Sequence, residues 1–289
     1  MKFGTYFAYW EQEWDCDYYK YIDKVKRLGF DVLEVAGAGL MSLDDAGLAA
    51  LKKKAADAEI KLTACIGLPK EYDVSSADET VRKKGVGYLK AMFENMEKAG
   101  IDILGGITYA YWPVDYREPV DKPAARARSI ESIKDAAATA KEHGVMMALE
   151  TVNRFEQFLF NDADEAVQYV KDVGADNVKV MLDCFHMNIE EDNMGDAIRR
   201  TGKYLGHFHI GECNRKVPGK GHMPWAEMGT ALRDIGYDGC VVMEPFVKMG
   251  GGVGRDIKVW RDMSENADEE KLDTSIAEAL AFVKRQFEG

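Results

Sequence analysis

The chain of 289 residues is 46% hydrophobic and 30% charged, so it contains enough apolar side chains for a sizeable folded core. Its net charge of −12 argues against nucleic acids and anionic membranes as partners, because both are bound through basic surfaces. Apolar runs stay shorter than the roughly 18 residues of a membrane span, and the first residues lack the apolar stretch and cleavage site of a signal peptide. We therefore predict a cytoplasmic protein with no nucleic-acid or membrane partner.

The sequence alternates between short apolar runs, typical of buried strands, and segments with helical spacing of apolar residues. The predicted strands are residues 2–9, 31–35, 61–66, 101–107, 145–150, 178–183, 205–209 and 240–244. The predicted helices are residues 18–28, 42–58, 78–98, 124–142, 163–173, 194–203, 224–235 and 272–287. The glycine cluster at 250–254 follows the last strand, and we interpret it as a loop.

Regular strand-helix alternation predicts a parallel sheet, and eight units predict a closed α/β barrel of the (β/α)8 type. No change in composition and no Pro/Ser linker interrupts the alternation, so we predict a single domain over residues 1–289. An open, doubly wound sheet is the alternative. It is disfavoured because the dinucleotide fingerprint that usually follows the first strand of such sheets is absent here.

The five cysteines are scattered, and none belongs to a C-x-x-C pair. This pattern argues against a disulfide framework and against a structural zinc site. The cysteines are Cys16, Cys65, Cys184, Cys213 and Cys240. We interpret most of them as buried thiols.

Consecutive strands from the fifth to the eighth end on a carboxylate or an imidazole, namely Glu150, Asp183, His209 and Glu244. The carboxyl ends of barrel strands meet at one face, so these side chains should converge. Three carboxylates and one imidazole suit Mn²⁺, Co²⁺ or Mg²⁺ better than zinc, and a cation would relieve their mutual repulsion. Each residue alone could be a helix cap or a salt-bridge partner, but their succession favours a metal site.

Neighbouring polar residues fit this site less well. His207 lies two residues before His209, about 6.6 Å deeper along the same strand, and we interpret it as a core histidine. We interpret Glu34, Glu190 and Glu212 as structural or solvated.

Further polar and aromatic residues are expected at the same face. The polar candidates on the loops are Glu156, His186 and Arg215, and Arg offers a planar fork of donors for adjacent oxygens. The aromatic candidates are Tyr6, Trp14, Trp112 and Phe246, although core packing explains each of these equally well. A metal, hydrogen-bonding groups and a hydrophobic wall together describe a pocket for a small polyol.

Several motifs distributed over almost the whole chain carry a resemblance to one known family. They are YWEQEW (9–14), YWPVDY (111–116), NRFE (153–156), VMLD (180–183), FHMNIEE (185–191), GECNRKVPG (211–219) and VMEPF (242–246). These stretches resemble the D-tagatose 3-epimerase and D-psicose (D-allulose) 3-epimerase family. The resemblance implies a TIM-type barrel, a divalent metal, commonly Mn²⁺ or Co²⁺, and reversible epimerisation of free ketoses at C3 by a homodimer or homotetramer.

Carried over by motif, the metal ligands would be Glu150, Asp183, His209 and Glu244. The C1–C3 end of the sugar would be bound by Glu156, His186 and Arg215. The sequence departs from the commonest psicose-type pattern at Cys184 and Ile210, where many relatives have Thr, and TACIG (63–67) resembles the tagatose-type branch. Cys65, Ile66 and Ile107 are expected to line the distal pocket. The preferred ketose therefore stays open among D-tagatose, D-psicose, D-fructose and L-ribulose.

Inverting C3 of a ketose requires removing the proton beside the C2 carbonyl and returning one to the opposite face. A cation that polarises the carbonyl would stabilise a cis-enediolate, and two carboxylates would then exchange the protons. We predict that Glu150 and Glu244 are these groups, because strands five and eight place them on different sides of the mouth. The alternatives are an aldose-ketose isomerase of the same barrel superfamily and a metal-stabilised sugar-binding module. A barrel nuclease is disfavoured, because it needs many histidines and a basic groove.

Overall fold

The computed structural model describes residues 1–117 and 119–288, in which eight parallel strands close into one barrel. Each strand pairs with its sequence neighbours, and the pairing of the first with the last closes the sheet. The strands are β1 Lys2–Tyr6, β2 Val32–Ala36, β3 Lys61–Cys65, β4 Ile103–Gly106, β5 Met146–Thr151, β6 Val178–Asp183, β7 Leu205–Ile210 and β8 Cys240–Met243. The predicted (β/α)8 barrel is confirmed. Residues 118 and 289 of the predicted domain lie outside the described part, and its status as a single domain stays a prediction.

Helices connect consecutive strands and cover the outside of the barrel. They are α1 Tyr19–Leu28, α2 Gly37–Leu40, α3 Asp45–Asp57, α4 Glu79–Ala99, α5 Lys122–Glu142, α6 Ala163–Val173, α7 Cys184–Glu190, α8 Met194–Thr201, α9 Trp225–Asp234, α10 Gly251–Asp256 and α11 Glu269–Phe287. Single 3₁₀ turns lie at Phe7–Tyr9, Lys70–Tyr72 and Gly202–Tyr204. Among the described residues, none of these helices combines the length and the apolar character that crossing a membrane requires.

The longer helices form where apolar spacing and capping agree. In α4 the residues Val86, Leu89, Phe93 and Met96 are buried at intervals of three and four, which places them on one helix face. Asp side chains accept the free N–H groups at several helix starts, and each such cap stabilises its helix by about 1 kcal/mol. These caps are Asp44, Asp78, Asp121, Asp162 and Asp268.

Several segments differ from the sequence predictions. The short helices α2 and α7, which directly follow β2 and β6, are not among the predicted helices. Strand β1 ends at Tyr6, earlier than residue 9, because the chain turns into a 3₁₀ segment. The interpretation of residues 250–254 as a loop is wrong, since Gly251 begins the short helix α10. A Cβ at Gly251 would collide with the carbonyl oxygen of Gln12, so glycine lets α10 pack directly on the loop after β1.

A candidate active site at the carboxyl ends of the strands

The residues that end four consecutive strands converge at one face of the barrel. Asp183 on β6 lies directly opposite His209 on β7 in the strand register. Glu150, Asp183 and His209 each offer a ligand atom, and these atoms lie within 4.8 Å of one another. A carboxylate oxygen of Glu244 lies 3.5 Å from Nδ1 of His209. The geometry is that of a single cluster, while the roles of these residues as ligands and catalytic groups stay predictions.

The cluster contains more negative than positive charge. The guanidinium of Arg215 is a buried cation of the cluster, and Nη1 donates to Asp183 at 3.2 Å and to Glu244 at 3.0 Å. Burial alone would raise the pKa of Asp183, but the charge of Arg215 outweighs it and lowers that pKa. Burial and the charge of Glu244 raise the pKa of Glu150 well above its usual range. One guanidinium therefore leaves the carboxylates incompletely neutralised.

His209 is held by a carboxylate from the opposite side of the barrel. Its Nε2 lies 2.5 Å from Oε1 of Glu34, whose other oxygen contacts His207 Nε2 at 2.8 Å and accepts from Thr63 at 2.8 Å. Burial would lower the pKa of His209, but Glu34 and Glu244 outweigh it and raise that pKa well above its usual range. The contact with Glu34 fixes the ring so that Nδ1 faces Glu244.

These side chains fit a divalent cation. Nδ1 of His209 is buried and has no hydrogen-bond partner among residues 1–117 and 119–288. The surrounding donors are carboxylate oxygens, which together with imidazole are the ligands of Mn²⁺-type ions. A cation would also supply the positive charge that Arg215 alone does not.

His186 lies in the first turn of α7, not on a loop as predicted, and it has a defined tautomer. The backbone N–H of Asn153 donates to its Nδ1 at 3.2 Å, so Nδ1 accepts and Nε2 carries the proton of the neutral ring. Nε2 lies 3.6 Å from Glu150 and 3.7 Å from Asp183. Burial lowers the pKa of His186, which favours this neutral form. The ring therefore presents an N–H donor toward the cluster.

Glu156 faces the same cavity from the loop after β5. Its oxygens accept from Trp112 Nε1 at 2.8 Å and from Asn153 Nδ2 at 3.1 Å. Burial would raise the pKa of Glu156, but His186 and Arg215 outweigh it and lower that pKa. Glu156 is thus an oriented, ionised acceptor.

The loop after β7 directs Arg215 into the cavity. Its backbone lies in the left-handed region with φ of 62°, and its N–H donates to the carbonyl of Glu212 at 2.8 Å. The guanidinium stacks on Phe185, 3.7 Å from the ring centroid. A constrained turn and an aromatic platform therefore fix the orientation of this side chain.

The opposite side of the cavity is apolar. The cavity has a volume of about 340 Å³, within the range of small-molecule sites. Its lining includes every predicted apolar residue, namely Tyr6, Trp14, Cys65, Ile66, Ile107, Trp112 and Phe246. The ring centroids of Tyr6, Trp14 and Phe246 lie 6.2 to 6.3 Å from one another, so the three rings pack together.

Sequence reasoning did not assign site roles to three residues that the structure places there. Glu34 was interpreted as structural or solvated, yet it is buried and orients His209; its signal was a carboxylate inside an apolar strand. Asn153 orients both His186 and Glu156. Asp256 lines the cavity and accepts from Trp14 Nε1 at 2.9 Å, a contact with no local sequence signal.

Comparison with known proteins agrees with this geometry. A family model described as xylose isomerase-like TIM barrel matches residues 22–270. D-psicose 3-epimerase from Agrobacterium fabrum is 52% identical over 98% of both chains, and that from Ruminiclostridium cellulolyticum is 51% identical over 98% of this chain and 96% of its own. A crystal structure of D-psicose 3-epimerase in the presence of D-fructose superimposes with a TM-score of 0.98 at 52% identity, covering 100% of both chains. The chain therefore belongs to the xylose isomerase-like TIM barrels and, among them, to the D-tagatose and D-psicose 3-epimerase family that its motifs resemble.

Proposed function

We propose that this protein is a metal-dependent ketose 3-epimerase that interconverts free ketohexoses, with the pairs D-fructose/D-psicose and D-tagatose/D-sorbose as substrates and ketopentoses as a further class. The observation that carries the proposal is that Glu150 and Glu244 line one cavity beside an oxygen and nitrogen ligand cluster. The high identity to proteins named D-psicose 3-epimerase supports the same substrate class.

Epimerisation at C3 needs one group to take the proton from one face and another to return a proton to the opposite face. Glu150 comes from β5, and Glu244 follows β8, so they approach the cavity from separate parts of the barrel rim. The two groups must differ in protonation state at any moment. Because the reaction is reversible, the roles exchange with its direction.

The ligand set would hold one divalent cation through Glu150, Asp183, His209 and Glu244. Such a cation, when bound, polarises the carbonyl beside C3 and so acidifies the C3 proton. The N–H of His186 and the guanidinium of Arg215 point toward the same region and would donate to the oxygens around C1 and C2. Glu156 would accept from a hydroxyl at that end of the sugar.

The apolar wall would face the C4–C6 end of the ketose. Tyr6, Trp14 and Phe246 offer ring faces and edges, which pack without demanding one hydroxyl configuration. This wall would also keep water away from the reacting end. We infer a reaction that is strict at C3 and tolerant at C4 and C5.

We propose Mn²⁺ as the resident metal, with Co²⁺ or Mg²⁺ as replacements, because carboxylates dominate the ligand set. We also propose that the protein forms a homodimer or a homotetramer and that it is located in the cytoplasm. Analytical ultracentrifugation of the purified chain tests the assembly.

The decisive experiment incubates the protein with D-fructose and Mn²⁺ in D₂O and identifies the product and the labelled carbon by NMR. The proposal expects D-psicose with deuterium at C3. An aldose product would instead show an aldose-ketose isomerase, with deuterium at C2 for an enediol route and without deuterium for a direct hydride shift. Binding of ketose without any turnover would show a sugar-binding protein.

A further inference from the structure

A thiol lies within reach of the carboxylate and imidazole cluster. Cys65 is the last residue of β3, and its side chain lines the cavity. Its Sγ, one nitrogen of His209 and one carboxylate oxygen of Glu244 all lie within 4.8 Å of one another. These atoms form a second ligand set. It shares His209 and Glu244 with the oxygen-rich set, by which we mean the predicted ligands Glu150, Asp183, His209 and Glu244.

The two ligand sets prefer different cations, because only the second contains sulfur. A hard cation such as Mg²⁺ or Mn²⁺ prefers oxygen ligands, so beside it the Cys65 thiol is only a part of the cavity wall. Zn²⁺ and Cd²⁺ bind sulfur strongly, and for them the same thiol is a ligand.

A second observation points to a ligand at this place. Nδ1 of His209 is fully buried, has no partner within the described part of the chain, and lies 3.5 Å from Glu244. Ligand atoms of a tetrahedral zinc-type site lie roughly 3.3 to 3.8 Å apart. Nδ1 of His209 and the Glu244 oxygen already have this spacing, and Sγ of Cys65 lies within 4.8 Å of a ligand atom of each residue.

We propose that Cys65, His209 and Glu244 form a site for sulfur-preferring divalent cations that overlaps the Mn²⁺ site and inactivates the enzyme when filled. On binding, a bond forms between the cation and Sγ, the thiol proton leaves to solvent, and no atom changes oxidation state. The cation withdraws His209 and Glu244 from the oxygen-rich set. It therefore competes with Mn²⁺ and occupies one of the two proton-transferring carboxylates. The inactivation, though not the binding, rests on the proposed epimerase function.

Direct binding is measured by adding Cd²⁺ to the chelator-treated full-length chain and recording the thiolate-to-cadmium charge-transfer absorption in the near ultraviolet. The wild type is expected to give this band with about one equivalent of Cd²⁺. Mn²⁺ present in excess should shift the titration to higher Cd²⁺ concentration, because two ligands are shared. Cys65→Ser should lose the band, and Cys65→Ala provides a second variant if the serine protein does not fold.

The matched control is Cys213→Ser. Cys213 forms the other thiol-imidazole contact, with Sγ 3.3 Å from Nδ1 of His222, and both residues lie outside the cavity lining. This variant should keep the band and its competition by Mn²⁺. A band that disappears in Cys213→Ser and persists in both Cys65 variants would overturn the proposal, as would a band indifferent to Mn²⁺ or no band in the wild type.

Inactivation is tested separately on the Mn²⁺-loaded enzyme with D-fructose as substrate. Cd²⁺ or Zn²⁺ should inhibit the wild type and Cys213→Ser, whereas Cys65→Ser should need at least about tenfold more of either cation, the loss typical of removing one metal-site partner. Equal sensitivity of all three proteins would refute inactivation through Cys65. If no protein turns over ketoses, the proposed function fails, and the absorption titration still decides the cation site.

Discussion

The two sides of the cavity are built in different ways. On the polar side, side chains are fixed by directed contacts, as for His186, which accepts from Asn153, and Arg215, which stacks on Phe185 and donates to two carboxylates. On the apolar side, Tyr6 and Phe246 contact each other only through their rings, whose centroids lie 6.3 Å apart. Directed contacts fix where a reacting atom must lie, whereas packing only limits shape and size. The proposed strictness at C3 and tolerance further along the sugar would both follow from this difference between the two sides.

The largest expected effect comes from removing the metal on the polar side. Chelation with EDTA should abolish epimerisation, because the carboxylates alone cannot polarise the substrate carbonyl. It should also destabilise the fold, since a metal at 100 times its Kd contributes about 2.7 kcal/mol. This corresponds to a fall in unfolding temperature on the order of 5 °C, measured by calorimetry. Treatment with preformed Mn-EDTA is the control, and full activity in protein shown to be metal-free would contradict the assignment.

The next largest effect is expected from the two carboxylates. Glu150→Gln and Glu244→Gln should each lower kcat by at least about 10⁴-fold, at the upper end of what a general acid or base contributes, because each is also a predicted metal ligand. Loss of deuterium exchange at C3 is the direct measurement, with bound metal quantified in the same samples.

Glu142→Gln serves as the control, because Glu142 is exposed at the last residue of α5, which leads into the start of β5 and so lies at the end of the barrel opposite the site. It should exchange C3 deuterium like the wild type. Exchange retained in both site variants at full metal occupancy would remove Glu150 and Glu244 from the proton transfer.

The same contrast explains what the sequence could and could not predict. The barrel could be predicted from local patterns, because apolar residues recur with different periods in strands and in helices. Polar residues at the ends of predicted strands indicated which face of the barrel holds the site. Contacts across the barrel have no such signal. Glu34 reaches His209 from 175 positions away, and Gly251 begins a helix because it packs on Gln12 from the far end of the chain. Local patterns thus predicted which side chains meet at the rim of the barrel, while the residues that orient them needed the three-dimensional structure.

A smaller effect should follow from loosening one orienting contact. Glu34→Gln should weaken Mn²⁺ binding by about 10- to 100-fold, because Glu34 holds the ring that presents Nδ1 to the cluster. At saturating Mn²⁺, kcat should recover to a large extent, which separates orientation from direct participation. Isothermal titration calorimetry measures the Kd.

Thr63→Val is the matched comparison, since it removes the hydrogen bond to the oxygen of Glu34 that does not contact His209. Its effect on the Mn²⁺ Kd should be clearly smaller. Equal Kd values for wild type and Glu34→Gln would show that the ring stays oriented without this carboxylate.

The smallest effect is expected on the apolar side. Ile107 lies just beyond β4 in the cavity wall, and Ile107→Val removes one methylene, equivalent to about 0.8 kcal/mol or roughly a fourfold change in kcat/KM. A ketohexose extends one carbon further along this wall than a ketopentose, so the loss should fall mainly on the hexose. The kcat/KM ratio for D-fructose over L-ribulose should therefore decrease, while deuterium exchange stays confined to C3. Ile103→Val makes the same change at the first residue of β4, at the opposite end of the barrel, and should leave the ratio unchanged. A similar loss for both sugars in Ile107→Val would mean that this wall also positions the reacting end, and the division between the two sides would then be wrong.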